Sequence, residues 1–286
     1  MIPSVCTSIV LALPPSEAIR ALAGIGWPGM ELSTEHLEYI ADSENPQDLA
    51  EQVRSVVAEL GVRMPQAHLY IRANVATADT EVHEADMATV MRHIELCSRM
   101  GIQTGVIHPG GDGPDRLDDE RSERARRIDS FSRLAGHAAE HGVALAVENM
   151  RDRTEPARTA LGRRRYGATI VELNELIDAV GAPNMGICYD TGHGNCQGLD
   201  MAEAVRQCGD RLLATHIQDT DGNADQHLAP TRGNIDWERG IAALREIGYT
   251  GLFNLEVGGE RGELPVELIL RRMEGVLAVT RWMLAQ

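Results

Sequence analysis

The 286-residue chain contains no lysine; all 27 of its basic residues are arginine. That excludes Schiff-base catalysis by a lysine amine, and any phosphate loop that depends on one. A GC-rich coding sequence would produce the same bias. Cysteine is sparse and odd in number: Cys6, Cys97, Cys188, Cys196 and Cys208 contain no CxxC pair. Free buried thiols in a reducing compartment are expected rather than a disulfide framework. Aromatic residues amount to 3%, so platforms for stacking sugars or bases are few; Tyr70, Tyr166 and Trp237 are the ones expected near a site. Positive charge is also short, with a formal net charge of −16, which weighs against a nucleic-acid partner. No apolar run reaches the ~18 residues of a membrane span. The start, Met-Ile-Pro-Ser-Val, has no basic leader region, so a cytoplasmic protein is expected. No GxSxG, HExxH or GxxxxGK[ST] pattern occurs, which removes the commonest signals of serine hydrolases, zinc proteases and nucleotide-binding loops.

What is present is a regular alternation. Hydrophobic residues make up 43% of the chain, enough for a sizeable core. Pattern and punctuation predict strands over residues 4–10, 29–32, 62–69, 105–108, 143–148, 185–190, 212–217 and 252–257. Helices are predicted over 14–24, 46–60, 80–100, 119–141, 169–180, 202–208, 237–247 and 266–284, several of them stopped by glycine. Eight alternating units point to a single (β/α)8 TIM barrel spanning residues 1–286. An open doubly wound sheet is the alternative. It would carry a glycine-rich turn after the first strand, and residues 4–14 contain no glycine. The last helix, VELILRRMEGVLAVTRWML, either covers the barrel or packs on a partner, so a homo-oligomer is possible.

The ends of these strands carry metal-ligand types. His68, His108 and Glu148 lie forty residues apart, and Asp190, His216 and Glu256 occupy similar settings further on. A parallel barrel gathers its strand ends around one axis at its C-terminal face. Glu148 in VALAVEN, Asp190 in GICYDTGH, His216 in LLATHIQD and Glu256 in LFNLEV each close an apolar run. Carboxylates in such places are costly to desolvate unless paired or bound to a cation. Two Glu, one Asp and one His suit a divalent metal: Mn²⁺, Mg²⁺, Co²⁺ or Zn²⁺. The competing explanation is that arginines pair these carboxylates across the barrel mouth.

A second set, His68, His108, His193, Asp225 and His227, reads either as additional ligands or as hydrogen-bond partners of ligands and substrate. The other five histidines (His36, His83, His93, His137 and His141) fall on predicted helices or an outer loop and read as surface residues. Two long irregular stretches, 149–168 and 218–236, follow strands five and seven. The first holds Arg151, Arg153, Arg158, Arg163, Arg164 and Arg165, either as a solvated loop or as a lid clamping a substrate carboxylate or phosphate. Arg153 and, in PTRGNIDW, Arg232 are the candidate clamps, and Asp236 reads as a helix N-cap.

Glu-Asn after strand five, DTGH after strand six, HIxD after strand seven, the DxHxxP…GxIDW stretch and the final Leu-Glu resemble the xylose-isomerase-like TIM-barrel superfamily along the whole chain. The resemblance implies shared metal ligands at Glu148, Asp190, His216 and Glu256, with the two glutamates as an acid/base pair in the epimerase branch. In the apurinic endonuclease branch it implies a larger cluster, which His68, His108, His193, Asp225 and His227 match by type and order. The chain departs from the epimerase pattern in lacking an arginine in DTDGN, and from the endonuclease pattern in reading DTGH rather than DTCH, with an acidic loop (STEHLEYIADSEN) after strand two.

The expected activity is a divalent-metal-dependent isomerase or epimerase of a sugar, sugar phosphate or polyhydroxylated keto compound, working by proton transfer through a metal-bound enediolate. Glu148 and Glu256 would move the proton, His193 and His216 would position the enediolate oxygens, and His68, His108, Arg153 and Arg232 would contact substrate. A lyase or dehydratase on a similar substrate, or a multinuclear-metal phosphodiesterase, are the alternatives.

Overall fold

The computed structural model describes residues 1–111, 120–151 and 165–286. Arg153 and most of the arginine-rich segment therefore lie outside the described residues. Eight strands form one all-parallel sheet: β1 (Ile2–Cys6), β2 (Gly29–Leu32), β3 (Arg63–His68), β4 (Thr104–Ile107), β5 (Ala144–Glu148), β6 (Met185–Asp190), β7 (Leu212–His216) and β8 (Leu252–Leu255). β1 pairs with both β2 and β8. The ring closes where Ile217 N donates to Asn254 O at 2.7 Å and Glu256 N to Ile217 O at 3.0 Å. The eight-stranded barrel expected from the alternation is the fold observed.

Among the described residues the helices are α1 (Pro15–Gly24), α2 (Thr34–Ala41), α3 (Pro46–Leu60), α4 (Thr80–Met100), α5 (Glu120–Glu140), α6 (Ile170–Val180), α7 (Thr191–Cys196), α8 (Met201–Cys208), α9 (Trp237–Glu246) and α10 (Val266–Ala285). Their ends follow local chemistry. Asp79 caps α4 by accepting from Glu81 N and Val82 N, Thr169 and Glu172 form a reciprocal box at α6, and Gly101 ends α4 at φ 79, where a side chain would be strained. α10 buries Ile269, Met273, Leu277 and Met283 and packs on β1 and α9. It covers the barrel, while Leu268, Val279 and Trp282 face outward. No helix among the described residues is long and apolar enough to cross a membrane.

Strand alternation decides what points into the barrel. Val106, Ala146, Cys188 and Ala214 form a small, fully buried cluster, each from a different strand. Opposite them Ser4 Oγ donates to Asn254 Oδ1 at 2.9 Å. Two residues beyond Val106, Ala146, Cys188, Ala214 and Asn254 come His108, Glu148, Asp190, His216 and Glu256. A period of two thus puts every one of those side chains on the inner face, one layer higher.

Four sequence expectations change. The first strand stops at Cys6, and Thr7–Val10 turns into a 3-10 helix. The Thr7 hydroxyl, held by Ser33 N at 2.9 Å and His36 Nδ1 at 2.8 Å, draws the chain away from the sheet. The supposed acidic loop after strand two is α2, with Ser33 as its cap and Leu37, Ile40 and Ala41 buried. The DTGHGN segment contains α7, a short helix held by Asp190, whose carboxylate accepts from His193 N at 2.6 Å. His36 and His93 are buried rather than superficial; His36 also bonds the Leu13 carbonyl at 2.9 Å.

Candidate metal centre

The rim at the C-terminal ends of the strands brings the expected residues together. Glu148, from β5, is 1% exposed and meets four imidazoles. Its Oε2 lies 3.3 Å from His68 Nε2 and 3.3 Å from His108 Nε2. Its Oε1 lies 3.2 Å from His216 Nδ1 and 3.3 Å from His193 Nδ1. Glu256 Oε2 approaches His216 Nδ1 from another side at 3.5 Å. Asp190 accepts from Gln218 Nε2 at 3.2 Å. Asp225 bridges His193 Nε2 and His227 Nε2, both at 3.3 Å. Three groups result, each with its ligand atoms within 4.8 Å of one another: His68, Glu148 and His216; Glu148, Asp190, His216 and Glu256, which shares Glu148 and His216 with the first; and, beside them, His193, Asp225 and His227.

Supporting residues fix which nitrogen of His216, His68 and His227 faces inward. Glu31 on β2 accepts from His216 Nε2 at 3.0 Å, with both side chains fully buried, so Nδ1 is left facing Glu148 and Glu256. A carboxylate behind a histidine is the arrangement that orients metal-ligating imidazoles. His68 Nδ1 donates to Leu69 O at 3.0 Å, and His227 Nδ1 to Glu256 O at 2.9 Å, leaving each Nε2 turned into the cluster. Asn149 pins β5 to β6 by donating to Asp190 O and accepting from Asp190 N. Gln218 joins Asp190 to Asp225 and accepts from His227 N at 3.0 Å. That bond holds His227 at φ 48, in the left-handed region. A non-glycine residue there costs on the order of 1 kcal/mol and persists where surrounding contacts over-determine it.

The electrostatics call for cationic charge. Burial alone would raise the Glu148 carboxyl, but His216, His108 and His193 outweigh it and hold the group well below its usual range. Burial would likewise lower His216; Cys188 and the carboxylates of Glu31, Glu256 and Glu148 hold it well above. Burial, opposed by Asp190, Asp225 and Glu148, leaves His193 raised as well. His227 is raised to about 10, the Asp225 and Glu256 carboxylates prevailing over burial. Asp190 goes the other way: burial, with Glu148, Glu256 and Asp225 nearby, raises it to about 6 despite His193. Burial lowers His108, prevailing over the Glu148 carboxylate, and His68 and Arg165 add to the lowering.

The donor set fits a divalent metal. Glu148 Oε2 and His216 Nδ1 are both shut off from water without a well-directed hydrogen-bond partner, which is costly for groups that nothing else satisfies. Carboxylate oxygens and imidazole nitrogens without sulfur, the imidazoles giving up their protons on binding, suit Mn²⁺, Mg²⁺, Co²⁺ or Zn²⁺. Arginines do not pair Glu148, Asp190 or Glu256 among the described residues. Arg151 reaches Asp225 instead, at 3.0 Å.

A cleft of about 370 Å³ opens beside the cluster, lined by His68, Asp225, His227 and Glu256 together with Ser8, Ser33, Thr34, Glu35 and Arg261. Its described lining has no Phe, Tyr or Trp. Tyr166 lies under the Arg127 guanidinium at 3.8 Å, Tyr70 under that of Arg72 at 5.0 Å, and Trp237 is buried with Nε1 donating to Asp219 at 2.9 Å. Arg232 holds the largely buried Glu260 at 2.6 Å, which ties the segment after β7 to the one after β8. Glu31, Gln66, Gln218 and Arg261 escaped the sequence reading, and Asn149 entered it only as part of the Glu-Asn motif after strand five. Glu31 had a signal: it is a lone carboxylate inside the apolar GMEL strand, as Glu148 is inside VALAVE.

Comparison with known proteins agrees with this architecture. A family model described as xylose isomerase-like TIM barrel matches residues 19–283. A D-psicose 3-epimerase of Enterocloster bolteae is 29% identical over 142 residues, covering 48% of this chain and 41% of that protein. A probable endonuclease 4 of Thermoplasma acidophilum is 25% identical over 227 residues, covering 75% of this chain and 74% of that protein. A crystal structure of D-psicose 3-epimerase in the presence of D-fructose superposes over all of both chains, with a TM-score of 0.80 at 18% identity. The chain belongs to the xylose isomerase-like TIM-barrel family.

Proposed function

We propose that the protein is a divalent-metal-dependent isomerase or epimerase of a sugar, sugar phosphate or polyhydroxylated keto compound. The observation that carries this reading is the pair of carboxylates, Glu148 and Glu256, converging on His216 Nδ1 at 3.2 and 3.5 Å beside an open cleft. Glu148, Asp190, His216 and Glu256 would hold the ion. When bound, it would supply Lewis acidity, making a C–H next to a carbonyl easier to deprotonate. Glu256, which lines the cleft, is placed to take that proton. Glu148, deeper in the rim, is the second carboxylate of the acid/base pair, and His193 lies against it at 3.3 Å. The hydroxyls of Ser8, Ser33 and Thr34, with Glu35 and Arg261, give the cleft the polar lining a polyol needs. Its volume falls in the range of small-molecule sites. Similarity to a D-psicose 3-epimerase supports this substrate class.

The test is a panel of keto sugars, inososes and their phosphates in deuterated water. Epimerisation by proton transfer places solvent deuterium on the carbon that changes configuration. Glu148→Gln and Glu256→Gln should each lose roughly 10²–10⁴-fold in turnover while staying folded. Near-full activity in both variants would refute the two-carboxylate scheme. Loss of one water from the product would instead identify a dehydratase.

A second reading, a multinuclear-metal phosphodiesterase, is favoured by one observation: two ligand groups share Glu148 and His216, and a third, His193, Asp225 and His227, lies against them where His193 meets Glu148 at 3.3 Å. The similarity to a probable endonuclease 4 points the same way. Nicking of an abasic oligonucleotide, with no turnover of the sugar panel, would establish this reading over the first.

A further inference from the structure

The helices of a βα barrel run antiparallel to its strands, so the C-terminal ends of α4 and α5 lie at the end of the barrel remote from the cleft. There Glu95, in the last two turns of α4, meets His137, in the last turn of α5, and His141 just beyond it. We propose that Glu95, His137 and His141 form a second metal site, independent of the rim, for a transition-metal dication of the zinc, nickel or copper type.

Four features support it. The three ligand atoms lie within 4.8 Å of one another. His137 lies in the last turn of α5 and His141 one residue past its end; their ring centroids are 4.6 Å apart, tilted by 51°. His137 Nε2 is closed to water, lacks a hydrogen-bond partner and points to Glu95 Oε1 at 3.4 Å. The backbone carrying the site is already fixed across the two helices: Ser98 Oγ of α4 donates to His141 O at 2.7 Å.

Access is provided by a groove of about 440 Å³ between α3 and α4, whose walls include Glu95 and His141. Of the arginines along it, Arg92 is drawn off to the Ala41 carbonyl. Two imidazole nitrogens and one carboxylate oxygen match the donor set of zinc sites that keep a fourth position for water or another ligand. Nickel and copper also favour imidazole, whereas magnesium and calcium want oxygen alone. An ion there would staple α4 to α5, helices that the barrel otherwise joins only through packing and side-chain contacts.

The experiment uses the full-length untagged chain. Zinc bound per chain is counted by elemental analysis after equilibration with micromolar zinc. It is counted again for a variant carrying His137→Gln and His141→Gln, and for Glu95→Gln alone. The double variant should bind one zinc fewer per chain, keep the rim metal and its turnover, and lose the wild type's retention on copper-charged resin. Glu95→Gln should weaken that one zinc by at least tenfold while leaving the fold unchanged by circular dichroism. An identical zinc count in wild type and double variant would overturn the proposal, as would loss of zinc accompanied by loss of rim activity.

Discussion

Replacing Glu31 by glutamine tests whether His216 is a metal ligand oriented from behind. Glu31 receives two donors, His216 Nε2 at 3.0 Å and the Gln66 amide. Both donors converge on Oε2 while Oε1 has no hydrogen-bond partner among the described residues, so an amide there would remove the negative charge behind His216 and leave its own NH2 group buried in the place of Oε1. Both Glu31 and His216 are fully buried, and water cannot reach in to satisfy that NH2 group or to replace the lost charge. Loss of a buried charge-assisted hydrogen bond costs about 1.5–3 kcal/mol. Removing the group behind a metal-bound histidine typically lowers affinity by ~10–100-fold, or about 1.4–2.7 kcal/mol. The two figures agree, so a drop within that range is expected in titration calorimetry with Mn²⁺ or Zn²⁺. Circular dichroism should show the fold retained. Should Glu31→Gln bind metal within twofold of wild type, His216 is not held for a metal and the centre has been misassigned.

Other consequences can be checked independently. Gly192 sits where an added Cβ would lie 2.3 Å from Gln218 Cδ. Gly192→Ala should therefore displace the amide that links Asp190 to Asp225, cutting activity at least tenfold and lowering Tm; unchanged kinetics would show that Gln218 does not position the ligands. His93 is buried, and burial together with Arg92 lowers it to about 4. An unfolded histidine binds its proton near ~6.5. Between those values the unfolded chain holds the extra proton, so stability should fall as pH drops from ~6.5 towards 4, by ~1.4 kcal/mol per pH unit and about 3 kcal/mol in all. Urea titrations of wild type and His93→Leu across that window should differ by this slope, and parallel slopes would refute it.

The barrel was legible because its strands are short apolar runs with helices stopped by glycine between them, a pattern set by local burial and backbone chemistry. The rim ligands were legible for a related reason: a carboxylate at the end of VALAVE or LFNLE is out of place unless something holds it. What stayed hidden depended on tertiary contacts. The 3-10 turn after Cys6 exists because the Thr7 hydroxyl finds partners 26 and 29 residues away. α7 forms across two glycines because Asp190 caps it. Gln218 looks like an ordinary loop residue until the fold sets its amide between two aspartates. His36 and His93 were misjudged because a helix has a buried face as well as a wet one, and a histidine's type does not reveal which face it occupies.

Because the inner layer of small residues and the ligands above it are separated by two positions on each strand, the chemistry is locked to strand parity. Deleting or inserting a single residue within β5, β6 or β7 would swing Glu148, Asp190 or His216 out among the helices and leave an aliphatic group in its stead. The segments after β7 and β8, by contrast, shape the mouth without bearing on that parity. Anyone wishing to redirect this scaffold toward a new substrate should edit those connections around Gln218, Asp225, His227 and Glu256, and leave both those four residues and the strand lengths untouched.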